Sequence, residues 1–553
     1  MQSTRPKLRK GKPDLAGVSA GTRRRSGMVL ILVLVVVLML SFAVYSFSEL
    51  MVVEYAATKT GLRQLQRREL ATSGIELAAL AIRQREAYVG RPCEIKLPGN
   101  EQARISVLRT MPTKNAQPTY GMSDESAKLN INTLPLEKSR RAAARQRLLV
   151  LPGMTLQIAD AILDWRDPDE EVSEFGAETS YYAAQSSARL PRQGPFEDLN
   201  ELLFVRGVTA EMLYGEDQNQ NGLLDPEEND GDGKTPRDNR DGILQQGWAE
   251  LLTTQGCEST LRSDGRPKIN LNQPVLARLY DELEAEFGSE AATYIVAWRM
   301  RGATYLDAPR PDEGDDLERR RLERLESAMS RLKSQLGNAE ADADADSENL
   351  SADQTRRGGL TITDSSAEFK SLVDLFGGQV QVAINGVDTL LESPWSADPA
   401  TARRMLPVFE QSLTMTDDMV LSGRISINEA PESVLRSIPG MSESAARTIA
   451  RIQPQIQSEN TSGEFRSVAW LVGRGILSLP ELREMAPYIT TGGDVRSGVC
   501  LGQMQGDAAI SAIRFRIDCS GLSRRILSLQ DLPVMSCREA GIPEIPIMSK
   551  LPR

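Results

Sequence analysis

The feature that most constrains this chain is an uncharged apolar run near its N-terminus. Residues 28–48 contain 21 consecutive residues without a charge. As a helix rising ~1.5 Å per residue they would span about 31 Å, close to the hydrocarbon thickness of a bilayer. Residues 1–27 carry eight Lys or Arg and one acid. By the positive-inside rule, this predicts one membrane span with residues 1–27 in the cytoplasm and the bulk of the chain on the opposite side.

Three kinds of N-terminal segment share this pattern: an uncleaved signal anchor, a cleaved secretory signal and a prepilin-type leader cut between Gly27 and Met28. The secretory signal is disfavoured because the apolar run is long and no A-x-A site follows it. The prepilin-type leader is favoured because the helical pattern continues through residues 49–89 without a proline. Cleavage would leave Met28 as the mature N-terminus.

Composition excludes several classes of function. The 553 residues include no histidine, which rules out Ser-His-Asp and Cys-His catalysis and HExxH zinc sites. The five cysteines form no CxxC pair, so a cysteine zinc site or a thioredoxin-type redox centre is disfavoured. After the basic leader, 57 Lys or Arg face 75 Asp or Glu. No spacing marks two of these carboxylates as an acid–base pair, so we expect no enzyme.

A short motif occurs three times in the middle of the chain, at 128–133, 268–273 and 424–429. Each copy alternates like a short strand and contains an Asn that can cap a following helix. A pattern of apolar residues at i, i+3 and i+6 follows each copy and starts at Phe196, Phe369 or Phe465. The repetition predicts three helix-hairpin-helix-like units within an inserted α-domain.

Alternating apolar and polar residues predict strands before and after this helical region, most clearly at 512–518. We therefore divide the chain into a leader (1–27), a transmembrane and amphipathic helix (28–90), first strands (91–127), an α-domain with two repeats (128–306), a charged low-complexity spacer (307–366), the third repeat (367–488), closing strands (489–535) and a tail (536–553).

Five segments, in order along the chain, resemble the minor pseudopilin K family of the type II secretion system (general secretion pathway protein K). They are the Gly27–Met28 junction, DESAKLNIN at 124–132, DWRD at 164–167, Tyr181-Tyr182 and PFEDL at 195–199. The chain departs from the family in its leader length, its third repeat and its spacer.

The resemblance implies an α+β, pilin-like fold: a long N-terminal helix on an antiparallel sheet, with a large inserted α-domain. It also implies a place at the tip of the pseudopilus, in the inner membrane with the bulk of the chain periplasmic, and a part in pseudopilus assembly and protein export across the outer membrane. The implied partners are the other minor pseudopilins, the major pseudopilin, the inner-membrane secretion platform and a prepilin peptidase.

Residues 217–228 fit the calcium-loop pattern D-x-[DN]-x-[DN]-G-x5-E at every defined position. Gly222 permits the sharp turn, and Leu224 is expected to pack inward. Four side chains and one backbone carbonyl are the expected calcium ligands: Asp217, Asn219, Asn221, Glu228 and the carbonyl of Leu223. No flanking helix pair is evident, so we expect a structural ion rather than a switch.

A second acidic run follows this loop, and two interpretations of it stay open, a second calcium site and a solvated acidic loop. Its acidic residues are Asp230, Asp232, Asp238 and Asp241. Cys500 and Cys519 lie on neighbouring predicted strands. In an oxidising compartment they could form a disulfide, and two buried thiols are the alternative.

A membrane-anchored helix-hairpin-helix protein that binds DNA, as in DNA uptake, is the alternative from another class. Such hairpins grip phosphates through backbone N–H groups in a Gly-apolar-Gly turn. Here Thr155 and Ser442 replace the second Gly, and the chain after the leader is acidic. We therefore expect no nucleic acid partner.

The fifth residue after the predicted cleavage point is Leu32. Pseudopilins generally carry a Glu there, which is thought to meet the N-terminal amine of the subunit above. An unpaired carboxylate among apolar helices is costly, so Leu suits a subunit with nothing above it. This predicts a position at the fibre tip.

Overall fold

The computed structural model describes residues 26–83, 92–98, 101–109, 119–185, 190–218, 224, 228–229, 231, 240–242, 244–245, 247–305, 356–458, 463–538 and 542–545. The chain divides into two compact units, Met1–Leu65 and Gln66–Arg553.

A single helix, Ser26–Arg83, runs from the apolar segment into the second unit. Within the second unit, Ala71, Ile75, Ala78 and Ile82 recur at helical spacing and are buried. They pack in one core cluster with residues of an antiparallel sheet. A Cβ on Gly74 would lie 2.8 Å from Ile105, so the helix and the sheet approach more closely here than a larger residue allows.

The main sheet is antiparallel and takes strands from both ends of the chain. In spatial order its central strands are Cys93–Lys96, Gln102–Leu108, Val495–Met504, Ala509–Asp518 and Arg525–Asp531. Two short strands extend it: Ser123–Asp124 pairs with the third of these and Met535–Ser536 with the fourth. The predicted combination of a long N-terminal helix and an antiparallel sheet is therefore present.

Between Leu108 and Val495 the chain forms a helical region around the largest apolar core. Its helices are Arg141–Leu149, Leu156–Arg166, Thr179–Ala183, Ala210–Tyr214, Leu276–Phe287, Ser289–Arg301, Pro399–Ser412, Glu432–Leu435, Glu443–Ser458, Trp470–Gly473 and Leu479–Met485. Short 3-10 helices are Glu125–Ala127, Ile131–Thr133, Leu199–Phe204, Gly247–Glu250, Leu372–Leu375, Glu464–Arg466 and Ala486–Tyr488.

A small antiparallel sheet lies within this region, after the second repeat motif. Its strands are Thr304–Tyr305, Arg356–Arg357, Leu360–Thr361, Gly378–Ile384 and Val387–Glu392. Two of these strands, Arg356–Arg357 and Leu360–Thr361, fall inside the predicted spacer, 307–366. They form a short hairpin around Gly358 and Gly359, both of which have positive φ, and the polar sequence there did not indicate it. Residues 307–355 lie outside the described residues.

Each of the three sequence repeats is closed by a short parallel strand pair. Leu129–Asn130 pairs with Leu252–Thr253, Ile269–Asn270 with Leu413–Thr414, and Ile425–Ser426 with Ile489–Thr490. The chain therefore leaves each repeat motif, builds helices and returns beside its starting point. One further antiparallel pair, Cys257–Ser259 with Val420–Ser422, joins the segment that follows the first repeat to the segment that precedes the third.

The same asparagine holds each repeat together. In each case the side-chain Nδ2 donates to two backbone carbonyls that are distant in sequence. The donors and acceptors are Asn132 to Phe196 and Thr254, Asn272 to Phe369 and Met415, and Asn428 to Phe465 and Thr491. The repeated Asn and the repeated Phe of the sequence are thus hydrogen-bond partners.

In each repeat, a second side chain, carried by a helix, donates hydrogen bonds to backbone carbonyls near the repeated motif. Arg166 donates to the carbonyls of Asn132 and Leu134, and Arg299 to those of Asn272, Gln273 and Ala367. In the third repeat Gln453 donates to the carbonyls of Ile427 and Ala430. The third repeat therefore keeps the interaction with an amide in place of a guanidinium.

Candidate functional site

The N-terminal half of the long helix is apolar and unburied. Its large side chains are exposed, for example Phe42 at 72%. The helix Val29–Arg83 is long and apolar enough to cross a membrane, with a mean hydropathy of 2.9 over its most apolar window. Gly27 and Met28 lie in the first turn of the helix, which begins at Ser26. An exposed apolar surface of this size indicates a single membrane span.

Three buried carboxylates meet at the C-terminal end of the helix Leu156–Arg166. Asp164 and Asp167 lie three residues apart there, and Glu178 immediately precedes the helix Thr179–Ala183. One carboxylate oxygen from each lies within 4.8 Å of the other two. All three residues are at most 2% exposed. We call Asp164, Asp167 and Glu178 the carboxylate cluster.

Arg141 and Ser173 position two members of the carboxylate cluster. The Arg141 Nη1 lies 2.6 Å from Asp167 Oδ2, and its Nη2 pairs with Asp164 Oδ1. Ser173 donates to Asp164 through both its backbone N–H, at 3.2 Å, and its hydroxyl, at 2.6 Å. Burial raises the pKa of Asp164 and of Asp167 despite these contacts.

Glu178 is the member of the cluster with the most perturbed carboxyl group. Its carboxyl group forms hydrogen bonds with Asp167 and with the backbone N–H of Thr179. Burial, and then the negative charges of Asp167 and Asp164, raise the pKa of Glu178 to about 8. The protonated Glu178 carboxyl can then donate to the Asp167 carboxylate, which lowers the cost of burying both groups.

The loop that contains Ser173 and Gly176 packs closely against the carboxylate cluster. The Gly176 N–H donates to the Ser173 carbonyl at 3.1 Å. A Cβ on Gly176 would lie 1.8 Å from Asp164 Oδ2, so no larger residue fits without moving that carboxylate. The loop is held from the other side by Arg206, whose Nη1 donates to the Gly176 carbonyl at 3.1 Å.

The aromatic residues of the sequence motifs pack beside this loop. The rings of Trp165 and Tyr182 meet edge to face with centroids 5.0 Å apart. The Tyr182 hydroxyl accepts from the Arg206 N–H, and the Arg206 guanidinium lies 4.8 Å from the Tyr181 ring centroid. The DWRD and Tyr181-Tyr182 segments, separate in sequence, therefore form one structural site.

Sequence reasoning did not single out Glu178 or Arg141. The sequence signal for Glu178 was the segment Gly-Ala-Glu at 176–178, nine to eleven residues after Asp167. A glycine there is typical of a tight turn, which can return an acidic residue to the end of the helix. Arg141 had no local signal, because it lies on a different helix, Arg141–Leu149.

The predicted calcium loop is described only in part. Its first and last predicted ligands, Asp217 and Glu228, are both buried, as is Leu224, which packs inward as expected. Glu216 fixes the start of the loop, because its N–H donates to the Gln245 carbonyl at 2.7 Å and its Oε2 accepts from the Gln245 N–H at 3.0 Å. The predicted ligands Asn219, Asn221 and Leu223 lie outside the described residues.

The second acidic run is also largely outside the described residues, which include Asp241 but not Asp230, Asp232 or Asp238. Asp241 is exposed. A second calcium site there stays a prediction.

The pairing of Cys500 with Cys519 does not occur in the structure, where both are free and buried thiols. Cys500 lies opposite Ile513, whereas the Cys519 N–H donates to the carbonyl of Asp494, six residues before Cys500. At ~3.3 Å per residue this separates the two along the strand by roughly 20 Å, well beyond the reach of a disulfide. Of the two alternatives, the structure has the two buried thiols, because neighbouring strands do not by themselves bring two residues into register.

Comparison with known proteins points to one family. Residues 127–214 match the family model described as "Type II secretion system (T2SS), protein K". A curated relative, the type II secretion system protein K of Klebsiella pneumoniae, is 28% identical over 203 residues, which cover 34% of this chain and 60% of the relative. The chain thus matches about three fifths of the length of that relative.

A solved structure also aligns with the chain, with a TM-score of 0.34 and 9% identity, over 86% of this chain and 98% of the other. It is described as the GspK-GspI-GspJ complex of the enterotoxigenic Escherichia coli type 2 secretion system. The family match covers the first repeat motif, the carboxylate cluster and the paired tyrosines. Residues 127–214 therefore carry a type II secretion system protein K domain, and the resemblance inferred from the sequence is confirmed over this segment.

Proposed function

We propose that the chain is a minor pseudopilin that takes part in pseudopilus assembly and protein export by the type II secretion system. The observation that carries the proposal is the continuous helix Ser26–Arg83. Its first half offers an unburied apolar surface, and residues 71–82 pack on an antiparallel sheet. A fibre subunit needs an exposed apolar half of the helix to join the fibre and a packed half to carry the folded head. The span would lie in the inner membrane with residues 1–27 cytoplasmic and the head periplasmic.

Cleavage by a prepilin peptidase between Gly27 and Met28 tests this proposal. A side chain at position 27 would crowd the scissile bond, so Gly27→Leu should leave a full-length, membrane-held precursor and abolish secretion. Gly21→Leu, in the same leader but away from the junction, should be processed normally. N-terminal sequencing of the protein from its native host provides the measurement. Mature protein that still carries residues 1–27 would overturn the prepilin interpretation.

The proposed position is the tip of the fibre, in contact with the other minor pseudopilins and, below them, the major pseudopilin. Leu32 supports the tip position, because a subunit with no neighbour above has no amine to pair with a Glu. Head size supports it too: about 490 residues give a radius of gyration of ~23 Å, against ~13 Å for 100 residues, and such heads would collide if repeated along a fibre. Gold-labelled protein should appear once per fibre, at one end. Regular labelling along the shaft would contradict the proposal.

We propose that the loop 217–228 holds a structural calcium ion, with Asp217 and Glu228 among the ligands. Both acids are withdrawn from solvent although a loop of this composition would ordinarily be solvated. A bound calcium ion would take carboxylate oxygens of both residues as ligands. We expect this ion to stabilise the loop and not to act as a switch.

The DNA-binding alternative requires free backbone N–H groups at the turns of the helix-hairpin-helix-like units. In the two Pro-Gly turns, Gly153 and Gly440 have positive φ, as such turns require. The hydroxyls of Thr155 and Ser442 accept hydrogen bonds from the N–H groups of Ile158 and Ala445, which a phosphate would otherwise use. We therefore propose packing units rather than DNA grips. Salt-dependent retention of duplex DNA by the full chain would revive the alternative.

A further inference from the structure

We propose that the strand Arg525–Asp531, at one edge of the main sheet, is where another minor pseudopilin adds a strand of its own. This rests on the proposed function and names the surface of the head that such a partner would bind. The strand pairs with Ala509–Asp518 on one side, and within the described residues it is the last strand of the sheet on the other. About half of its backbone N–H and C=O groups therefore face away from the sheet.

The apolar face of the main sheet continues onto this edge strand, beyond the part that the N-terminal helix covers. Leu529 lies opposite Phe515, and Ile526 lies opposite Ile517. The two inner residues are buried in the core cluster under the helix, whereas Leu529 is 51% exposed and Ile526 is 48% exposed. Because cross-strand partners share a face of the sheet, these two side chains extend the buried apolar surface into solvent. Such an apolar surface beside a packed core indicates an interaction site.

The charges at both ends of the edge strand are paired within the chain. Arg525 forms an ion pair with Asp518 of the neighbouring strand, and Arg68 of the N-terminal helix forms one with Asp531. Between these ends, residues 526–530 contain no charge and no proline. Lysine and proline are common means by which an edge strand is kept from pairing with another chain. The middle of this edge therefore lacks that protection.

The opposite edge of the same sheet is protected. Its strand, Cys93–Lys96, has four residues, and its two exposed residues, Glu94 and Lys96, are charged. Its apolar residues, Cys93 and Ile95, pack against a core cluster. A short, charged strand with its apolar side chains packed inward discourages pairing with a further strand. One edge of the main sheet is therefore closed to a partner strand, and the other is open to one.

The place of the open edge beside the N-terminal helix identifies the occupant. Arg68 and Glu76, eight residues apart on the helix, form ion pairs with Asp531 and Arg524. In the proposed fibre, neighbouring subunits pack along this helix, so a neighbour on that side of the helix also meets the edge strand. A second copy of this chain is disfavoured because the proposed tip position holds one copy per fibre. The occupant is therefore another minor pseudopilin.

The test compares tagged full-length chains that are co-expressed with the other minor pseudopilins of the native host and purified in detergent. Ile526→Lys combined with Leu529→Lys places two charges on the open surface, where both side chains are about half exposed. Val387→Lys combined with Leu390→Lys is the matched control, because both residues are exposed on an edge strand of the small sheet. We expect the first variant to retain roughly tenfold less minor pseudopilin than wild type, since two lysines must lose water on binding. The control should retain the wild-type amount.

Photo-cross-linking identifies what lies against the edge. p-Benzoylphenylalanine replaces Ser528, an exposed residue that begins the stretch 528–531, in which the pairing with Ala509–Asp518 is regular. In a separate control it replaces Asp388, which is exposed on the edge strand of the small sheet. We expect mass spectrometry to find position 528 joined to another minor pseudopilin and position 388 joined to none. An adduct with a second copy of this chain or with an exported protein, or no adduct at position 528, would overturn the proposal.

Failure of the proposed function gives a different result from failure of this proposal. Wild type that retains no minor pseudopilin would contradict both. Wild type and the Ile526→Lys, Leu529→Lys variant that retain equal amounts would overturn this proposal alone. Should that variant lack the circular dichroism spectrum of wild type, the adduct at position 528 decides, because it requires no change to either apolar residue.

Discussion

Asn428 offers a direct measure of how strongly the shared asparagine stabilises a repeat. Its Nδ2 donates to the carbonyls of Phe465 at 2.8 Å and Thr491 at 3.1 Å. Its Oδ1 accepts from the indole N–H of Trp470 at 3.1 Å. The residue is 9% exposed, so water has little access to replace these bonds.

Asn428→Ala removes three hydrogen bonds and leaves two carbonyls and one indole N–H without this partner. At about 1 kcal/mol per bond, we expect the free energy of unfolding of this region to fall by about 3 kcal/mol. Asn272→Ala should cost less, because Asn272 is only half-buried and water can reach the freed groups.

The assay is hydrogen exchange of the full chain in detergent, read at the strands Ile425–Ser426 and Ile489–Thr490, with thermal unfolding followed by circular dichroism. Asn200→Ala is the control, because Asn200 is exposed and its side chain accepts one hydrogen bond, from Tyr214. A loss below about 1 kcal/mol for Asn428→Ala, or exchange equal to that of the control, would refute the reasoning.

Three further outcomes follow from single residues. Gly176→Ala should lower stability by about 1–3 kcal/mol, because its Cβ would meet the Asp164 carboxylate; an unchanged unfolding temperature would contradict this close approach. Burial raises the pKa of Glu410 from 4.5 to about 7. The folded chain then holds a proton that the unfolded chain releases, so stability should fall as pH rises from about 4.5 to about 7 and stay level above. Glu410→Gln should remove this dependence of the unfolding temperature on pH, and a persisting slope of the same size would exclude Glu410 as its source. Chelation should lower the unfolding temperature of wild type, and Glu228→Gln should lower it in the presence of calcium; no change in either would exclude a calcium ion held by Glu228.

Periodic patterns predicted the parts of the fold that are locally encoded. The helix and the strand at 512–518 follow from which residues alternate, since burial on one face dictates the period. The three repeats were visible because the same Asn and Phe recur at comparable separations, and each pair turned out to be a hydrogen-bonded contact.

Local sequence patterns did not predict the contacts between residues that are distant in sequence. The register that separates Cys500 from Cys519 depends on pairing along the whole strand, not on the two residues. Glu178 joined the carboxylate cluster through a loop whose path is set by Gly176 and Arg206. The hairpin at 356–361 sits in polar sequence, where turn glycines rather than apolar residues determine the fold.

The small sheet after the second repeat gives the chain a natural position for engineering. Tyr305 pairs with Gly378 at one end of the strand Gly378–Ile384, and Leu360, paired to both Arg357 and Ile384, marks the other end. Six residue steps at ~3.3 Å separate these anchors by roughly 20 Å. A segment that replaces residues 306–355 must bridge this gap, which takes about seven residues or more. The two anchors therefore set the shortest linker with which a reporter can be inserted at this position.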